Sequence, residues 1–364
     1  MACRYSSYSI SKYDLNLTSR DIFHVKLPVM LDTSPNRKTR KVSFLLVPQF
    51  PLLSFTSAVE PLRSANRMSG KELYSWELLS ADGQPVESST GIALMPDRSI
   101  ADVEHVESVV VCAGIDPQLF RDKTVLGWLR NMARHGAYIG GISGGSFVLA
   151  RAGLLEDYRC TIHWEYLASF TEEFPEIDVT PSLFEIDRDR FTSAGAEATL
   201  NMMLYLIAQQ HGYDLSVTVA EQFSHMSIHG ENEPQRMPLR QRLRISHPKL
   251  IAIIEQMEHN LEEPLSREAL AESVGLSTRQ MERLFEKYLS KSPAKHYLEL
   301  RLRRAQLLLM QTSMSILDVS VACGFVSASH FSKSYRELFK RPPRQERTPL
   351  ETSADEKSEE EIES

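Results

Sequence analysis

The sequence predicts two domains of different fold classes, an α/β domain with a mainly parallel sheet and helices on both faces, followed by an all-α domain. A length of 364 residues fits two domains, since single domains commonly hold about 100–200 residues. Strand-like apolar runs alternate with helical patterns up to about residue 212, as in parallel α/β sheets. Beyond residue 249 the apolar spacing is almost entirely helical. No apolar run reaches the roughly 18 residues of a membrane-spanning helix, so we expect no membrane association.

Composition changes along the chain predict the domain boundaries. We expect the α/β domain over residues 41–212 and the helical domain over 249–347. The stretch 211–248 contains Gly212, Gly230, Pro234, Pro238 and Pro248 with mixed charges between them, which predicts a linker over residues 213–248. Residues 1–40 are expected to be a flexible extension. Residues 348–364 hold seven acidic residues against one lysine, which predicts a disordered acidic tail.

Eight elements of the α/β domain can be predicted in order from apolar periodicity. Val42–Val47 is a continuous apolar run of the kind found in a strand that is buried on both faces. Gly136 follows a helical pattern and marks the end of that helix. The predicted strands cover residues 42–47, 74–79, 108–112 and 137–140, and the predicted helices cover residues 56–68, 124–135, 147–152 and 197–210.

Charge is distributed unevenly between the two domains. The formal net charge is −7, yet residues 239–349 hold 19 Lys and Arg against 12 Asp and Glu. A basic module beside an acidic body is typical of a nucleic-acid-binding domain fused to a sensor. A solvated basic surface without a partner would give the same count, so the charge alone leaves both interpretations open.

The cysteines indicate a reducing environment. Cys3, Cys112, Cys160 and Cys323 form no C-x-x-C pair, and no Cys/His cluster has the spacing of zinc ligands. We therefore expect free thiols, no metal and no cofactor. The first sixteen residues lack the apolar segment of a secretory signal, which favours a cytoplasmic protein.

The helical domain contains one short pattern twice: a support helix, a glycine turn and a second helix that begins at a serine. Gly275 and Ser277 hold these positions in the first copy, and Gly324 and Ser327 in the second. The glycines are 49 positions apart and the serines 50. Because the turn of a helix-turn-helix motif needs a positive φ, which favours glycine, the repeat predicts two such motifs. The support helices are predicted over 265–274 and 316–323, and a connecting helix over 293–310.

Each second helix has a polar face that is suited to the major groove of DNA. Arg, Gln, Ser and His read base edges there, while Lys and Arg neutralise phosphates. The predicted DNA-binding residues are Ser277, Thr278, Arg279, Gln280, Arg283 and Lys287 in the first copy, and Ser327, Ala328, His330, Lys333, Arg336 and Lys340 in the second. We expect Ser334 on the same outer face. The duplication disfavours the alternative of a plain helical bundle with a solvated basic surface.

The repeat also carries a family resemblance. The strings LAESVGLSTRQMERLFEKYLSKSP, RLRRAQLLL and SILDVSVACGFVSASHFSKSYRELFKRPP resemble the DNA-binding domain of AraC/XylS regulators, and the match covers Lys249–Arg347. The signature G-F-x-x-x-S-x-F-x-x-x-[FY] is present as Gly324, Phe325, Ser329, Phe331 and Tyr335. This resemblance implies that the partner is double-stranded promoter DNA.

The α/β domain contains a strand, a glycine-rich turn and a helix in succession over Ala137–Ala152. The turn places Ser143 where a nucleophile elbow carries its nucleophile. With His163 as a base, Ser143 would indicate an amidase or another hydrolase.

Three segments of this domain, at 44–66, 143–164 and 182–196, resemble the PfpI-like, class I glutamine amidotransferase-like domain of GlxA-type AraC regulators. The resemblance implies a flavodoxin-like fold. Enzymes of that superfamily carry a cysteine at the elbow, often held by an acidic residue, whereas Ser143 and Ser54 occupy these positions here. Because a serine hydroxyl without a base is a poor nucleophile, we interpret the domain as a ligand sensor without catalytic residues.

A sensor can still use the elbow. Backbone N–H groups at a helix N-terminus bind carboxylates, and aromatic faces attract cations, so a small zwitterion fits both. The predicted ligand-binding residues are Ser143, Gly144, Gly145, Ser146, His163, Trp164 and Phe55. For His163 and Trp164, ordinary packing at a domain edge is the alternative.

The expected function is a sequence-specific transcription regulator, mostly an activator, that binds promoter DNA as a homodimer and contacts RNA polymerase. Within the GlxA-type group the chain is most similar to regulators of quaternary-amine catabolism, which implies glycine betaine, carnitine or arginine as the ligand. Two alternatives are a hydrolase with an appended DNA-binding domain and a constitutive DNA-binding protein whose first domain only dimerises.

Overall fold

The structure is a computed structural model that describes residues 39–225, 228–230 and 233–347. The predicted acidic tail, and the predicted extension apart from its last two residues, lie outside these ranges. In the described ranges, no helix combines the length and the apolar character needed to cross a membrane.

The α/β domain is built on a seven-stranded sheet. The sheet strands are β1 (Arg40–Leu46), β2 (Tyr74–Ser80), β5 (Arg98–Ser99), β6 (Ser108–Ala113), β7 (Tyr138–Ser143), β10 (Phe184–Asp187) and β11 (Arg190–Ser193). Their order is β10-β11-β7-β6-β1-β2-β5, and only the β10–β11 pair is antiparallel. Two further pairs lie apart from the sheet, β3 (Val86–Glu87) with β4 (Ala93–Leu94) and β8 (Arg159–Thr161) with β9 (Asp178–Thr180).

Helices cover both faces of this sheet. They are α1 (Leu52–Ser69), α2 (Lys123–Arg134), α3 (Gly145–Arg151), α4 (Leu167–Glu173), α5 (Ala196–His211) and α6 (Tyr213–Gln222). In β6, Val111 packs into the core under α2 and α3, whereas Val110 packs into the core under α1, α5 and α6. Successive strand residues point to opposite faces, so a strand covered on both sides must be apolar throughout. The predicted α/β class with a mainly parallel sheet is confirmed.

The predicted linker begins too early. Residues 213–222 form α6, which follows α5 directly at Gly212, where φ is 97°. Val219 and Ala220 of α6 are buried in the same core as α5. Gly212 therefore marks a change of helix direction rather than the end of the domain, and the chain leaves the α/β domain only after α6.

Seven helices form the C-terminal domain. They are α7 (Leu239–Leu243), α8 (Pro248–His259), α9 (Arg267–Glu272), α10 (Thr278–Leu289), α11 (Pro293–Gln311), α12 (Ile316–Ala322) and α13 (Ala328–Phe339). Two separate apolar cores hold them together, one around α8, α9 and α10 and the other around α12 and α13. Helix α11 contributes Tyr297 to the first core and Leu302 to the second. The predicted all-α class is confirmed.

The two domains meet where α4 packs on α11. Ser169 Oγ donates a buried hydrogen bond of 2.8 Å to Gln311 Oε1. Arg304 pairs with Glu172 at 3.2 Å. Ala168 packs against the core of α12 and α13. The α/β domain thus contacts the helix that joins the two halves of the C-terminal domain.

Candidate DNA interface and ligand site

The first helix-turn-helix motif consists of α9, a turn at Gly275 and α10. Gly275 has a φ of +63°, in the left-handed region. Ser277 accepts the Gln280 backbone N–H at 3.3 Å, and Gln280 Oε1 accepts the Ser277 N–H at 2.8 Å, which completes a capping box. Met281 and Phe285 are buried, so the opposite side of α10 is left for solvent.

The predicted contact residues of this copy lie on that open side. Arg279, Arg283 and Lys287 are exposed and follow one another at intervals of four, so they form one stripe along α10. Gln280 is also exposed, but its amide oxygen is held in the capping box. Thr278 is half-buried at the start of the helix.

The second motif repeats this arrangement with α12, Gly324 and α13. Gly324 has a φ of +71°, and Ser327 accepts the His330 backbone N–H at 3.4 Å. Phe331 and Tyr335 are buried. The expectation that Ser334 faces outward is wrong: its side chain is buried because it lies three positions after Phe331, on the inner face.

The structure adds a feature that was missed in the sequence analysis. Ser329, Ser332, Lys333 and Arg336 line a depression on the outer side of α13, together with Glu337. Ser329 belongs to the family signature but is not among the predicted DNA-binding residues. The helical period that makes Lys333 and Arg336 outward residues also places Ser329 beside them, and this signal could have found it. Of the other predicted residues, Ser327, His330 and Lys340 are exposed and Ala328 is half-buried.

Cationic side chains on both recognition helices are available to DNA. In the ranges 39–225, 228–230 and 233–347, none of these side chains forms an ion pair; they are Arg279, Arg283, Lys287, Lys333, Arg336 and Lys340. Phosphate groups are therefore able to bind them without first displacing a carboxylate of the described chain.

Arg301 of α11 holds the turn of the second motif in place. Its Nε donates to Cys323 O at 2.7 Å and its Nη2 donates to Gly324 O at 2.6 Å. Its guanidinium carbon lies 4.1 Å from the centroid of the Phe325 ring. Burial lowers the pKa of this guanidinium, while the two carbonyl groups satisfy its donors. The sequence predicts a connecting helix over residues 293–310, which includes position 301, but it indicates no role for this arginine.

We expect Arg301→Ala to lower the free energy of unfolding by about 2–4 kcal/mol, because two hydrogen bonds to a charged group are lost and the Phe325 ring loses its cover. Arg303→Ala is the matched control, since Arg303 is an exposed arginine of the same helix. Urea unfolding measures both variants. Equal stability of the two variants would show that Arg301 does not support the turn.

In the α/β domain, Ser143 forms a tight turn between β7 and α3. Its φ is +57°, and the residue is buried, with 7% of its surface exposed. Its carbonyl oxygen accepts the backbone N–H of His163 at 3.3 Å. The close approach of α3 to the sheet requires a glycine at 145, where a Cβ would lie 2.4 Å from Val111 O, and Gly144 packs on Pro117 in the same way.

Within the described part of the chain, the Ser143 hydroxyl makes no hydrogen bond to a base or to any other group. Ser54, at the position of the superfamily's acidic residue, instead accepts the Ala196 N–H at 2.8 Å. Burial lowers the pKa of His163, and its Nδ1 lies 3.9 Å from Glu165. In the described residues the side chains of Ser143 and His163 are not hydrogen-bonded to each other, so the pair lacks the contact by which a base activates a serine.

The remaining predicted ligand residues form two groups: open residues, which are exposed to solvent, and closed residues, whose side chains are buried. Trp164 is 42% exposed beside His163, with 5.5 Å between the ring centroids. Phe55 is closed: it is buried with edge contacts to Phe44 and Phe50, so its ring lies in the core rather than open to a cation. Ser146 is also closed, because its hydroxyl donates to Thr161 O at 2.6 Å in a fully buried bond.

An α/β domain joined to two helix-turn-helix motifs, whose recognition helices carry cations that form no ion pair within the described ranges, is the arrangement of a DNA-binding regulator. Residues 40–209 match the DJ-1/PfpI family, and residues 270–348 match a helix-turn-helix domain family. The chain belongs to the GlxA-like group of AraC-type transcriptional regulators. Both predicted resemblances are thereby confirmed.

Three relatives cover both domains. The chain is 48% identical over 312 residues to the HTH-type transcriptional regulator GbdR of Pseudomonas aeruginosa strain UCBPP-PA14, covering 86% of this chain and 85% of that one. It is 45% identical over 311 residues to the regulator CdhR of P. aeruginosa PAO1, with 85% and 92% coverage. It is 38% identical over 315 residues to the regulator GlxA of Rhizobium meliloti, with 86% and 97% coverage.

Proposed function

We propose that the protein activates genes of amine or amino-acid catabolism when a small zwitterion binds beside the elbow. One observation carries this proposal: the exposed Trp164 directly follows His163, whose backbone N–H donates to the Ser143 carbonyl oxygen. The Gly144 N–H already donates to Ala113 O at 2.8 Å, so the N–H groups of Gly145 and Ser146 would bind the carboxylate, and the indole face would bind the cation. The resemblance to regulators of quaternary-amine catabolism supports glycine betaine, carnitine or arginine as the ligand.

The contact between the domains supports a route from the ligand to the DNA. Trp164 lies three positions before the first residue of α4, and α4 packs on α11. A ligand that binds one arrangement of these elements more tightly shifts the population towards it. We further propose a cytoplasmic homodimer that occupies two operator half-sites and recruits RNA polymerase. Light scattering of the protein with and without operator DNA measures the dimer.

A thermal-shift screen tests the ligand. Glycine betaine, dimethylglycine, carnitine and arginine are each added to the full-length protein, with and without promoter DNA. We expect one of them to raise the melting temperature, because a ligand at 100 times its Kd stabilises the native state by about 2.7 kcal/mol. No shift with any amine, and DNA affinity that is indifferent to all four, would favour a constitutive DNA-binding protein instead.

The chemistry of the cation site has its own control. The compound 3,3-dimethylbutyrate has the shape of glycine betaine, with a neutral carbon in place of the nitrogen. We expect Trp164→Leu to weaken glycine betaine binding about 3- to 30-fold, as loss of a cation–π contact of about 0.5–2 kcal/mol requires, and to leave dimethylbutyrate binding unchanged. An equal loss for both compounds would assign Trp164 to shape rather than to charge recognition.

A further inference from the structure

Residues 233–237, here called the strap, connect α6 to the DNA-binding module and are docked on the α/β domain. The Leu183 N–H donates to Glu233 O at 2.9 Å, and the Gln235 N–H donates to Pro181 O at 3.3 Å. The Gln235 side-chain amide donates to Ile162 O at 2.8 Å, directly before His163 and Trp164. The strap is thus attached to the segment that carries the proposed ligand site.

Arg236 of the strap lies on the aromatic face that the ligand needs. Its guanidinium carbon is 4.9 Å from the centroid of the Trp164 ring. Within the described ranges this guanidinium forms no hydrogen bond and no ion pair. Arg242, a cation that acts electrostatically on Arg236, is itself paired with Glu258 at 2.8 Å. The indole face is therefore the specific partner of Arg236 in this structure.

A second cation cannot occupy the same face at the same time. An ammonium or guanidinium group binds an indole within about 6 Å of the ring centroid, which is the distance range that Arg236 already fills. Arg236 is held there by the backbone and amide bonds of its neighbour Gln235 rather than by bonds of its own. The arginine can leave the ring while the rest of the strap stays bonded, or it can leave together with the strap.

We infer that Arg236 is a specificity-determining residue, an internal cation that a ligand must displace from Trp164 and whose displacement loosens the strap in front of the DNA-binding module. This inference rests on the proposed function, because it assumes that a cationic ligand uses Trp164. Displacing Arg236 costs part of the ligand's binding free energy, so this residue raises the ligand concentration at which the protein responds. The released strap gives the DNA-binding module more freedom to turn relative to the α/β domain.

The test compares three full-length variants in the absence and presence of glycine betaine. Arg236→Ala removes the competing cation. Arg236→Met removes the charge and keeps most of the apolar stem. Arg240→Ala is the matched control, since Arg240 is an exposed arginine four positions along the chain without an aromatic partner in the described ranges. Calorimetry measures the affinity for glycine betaine, and hydrogen exchange measures the opening of the strap at the Leu183 and Gln235 amides.

We expect Arg236→Ala and Arg236→Met to bind glycine betaine about 2- to 5-fold more tightly than the wild type, the range that loss of one exposed cation–π competitor gives. The Leu183 and Gln235 amides of both variants should exchange several-fold faster without ligand, and glycine betaine should produce the same acceleration in the wild type. Arg240→Ala should match the wild type in every measurement.

The possible failures are distinguishable. If the wild type binds glycine betaine and both Arg236 variants bind it equally well, Arg236 is not a competitor and the inference is overturned while the proposed function stands. If glycine betaine binds to none of the proteins, and the other three amines of the screen also fail, the proposed function is overturned and the inference with it. Faster exchange in Arg236→Ala but not in Arg236→Met would assign the effect to lost packing, which also overturns the inference.

Discussion

Replacing Gly324 with alanine is expected to destabilise the second helix-turn-helix motif by about 2–5 kcal/mol and to abolish high-affinity promoter binding. At the Gly324 φ of +71°, any L side chain costs about 1–2 kcal/mol. A Cβ there would also lie 2.6 Å from Glu262 O and 2.7 Å from Leu261 O. Because both contacts are with backbone, relieving them requires the loop before α9 to move.

Gly275→Ala is the matched control for this prediction. Gly275 occupies the same place in the first motif, and its φ is +63°. The nearest atom to a Cβ at this position is Lys249 Nζ, 3.9 Å away at the end of a flexible side chain. We therefore expect a loss of only about 1–2 kcal/mol, from the backbone conformation alone. Urea unfolding of both variants measures the difference, and equal losses would show that the loop around Glu262 yields easily.

Arg279→Ala is expected to cost about 1–3 kcal/mol of DNA-binding free energy and to relax the base preference at one operator position, because an exposed arginine at the start of a recognition helix reads base edges. Lys287→Ala, two turns further along the same stripe, is expected to weaken binding to all sequences and to reduce the salt slope by about one. Titrations of operator and scrambled DNA at several salt concentrations separate the two effects. If the two variants behave alike, the division into base and phosphate contacts is wrong.

The capping box changes what a substitution of Gln280 measures. Gln280→Ala is expected to cost about 1–3 kcal/mol of specific binding if the amide reads a base. The same change removes the bond from Gln280 to the Ser277 N–H, and the loss of a helix cap costs about 0.5–2 kcal/mol of stability. Gln280→Glu is the control, since glutamate preserves the capping box while removing the amide donors. Specific binding that is lost in both variants, with stability lost only in the alanine variant, would support base readout.

The elements that the sequence predicted well are those with a long, uniform period. The recognition helices are observed over Thr278–Leu289 and Ala328–Phe339, and the connecting helix over Pro293–Gln311. Strands β8 to β11 are three or four residues long and were not predicted, because so short a segment shows neither a helical nor a strand period. Helix α6 is absent from the prediction for a different reason: Gly212, directly before it, marks the predicted end of the α/β domain.

The sequence by itself determined the features that depend on residue type alone. In the α/β domain these are the serine at the elbow and the serine at the position of the superfamily's acidic residue. In the helical domain they are the repeated turn glycine, the serine cap and the cationic stripe. These features depend on local backbone conformation and helical period, which neighbouring residues specify. Only the tertiary structure decided which side chains were already in use. Phe55 lies inside the core, and the indole ring of Trp164 is contacted by Arg236, more than 70 positions away in the chain. Contacts between residues so distant in sequence arise from packing, which no local pattern records.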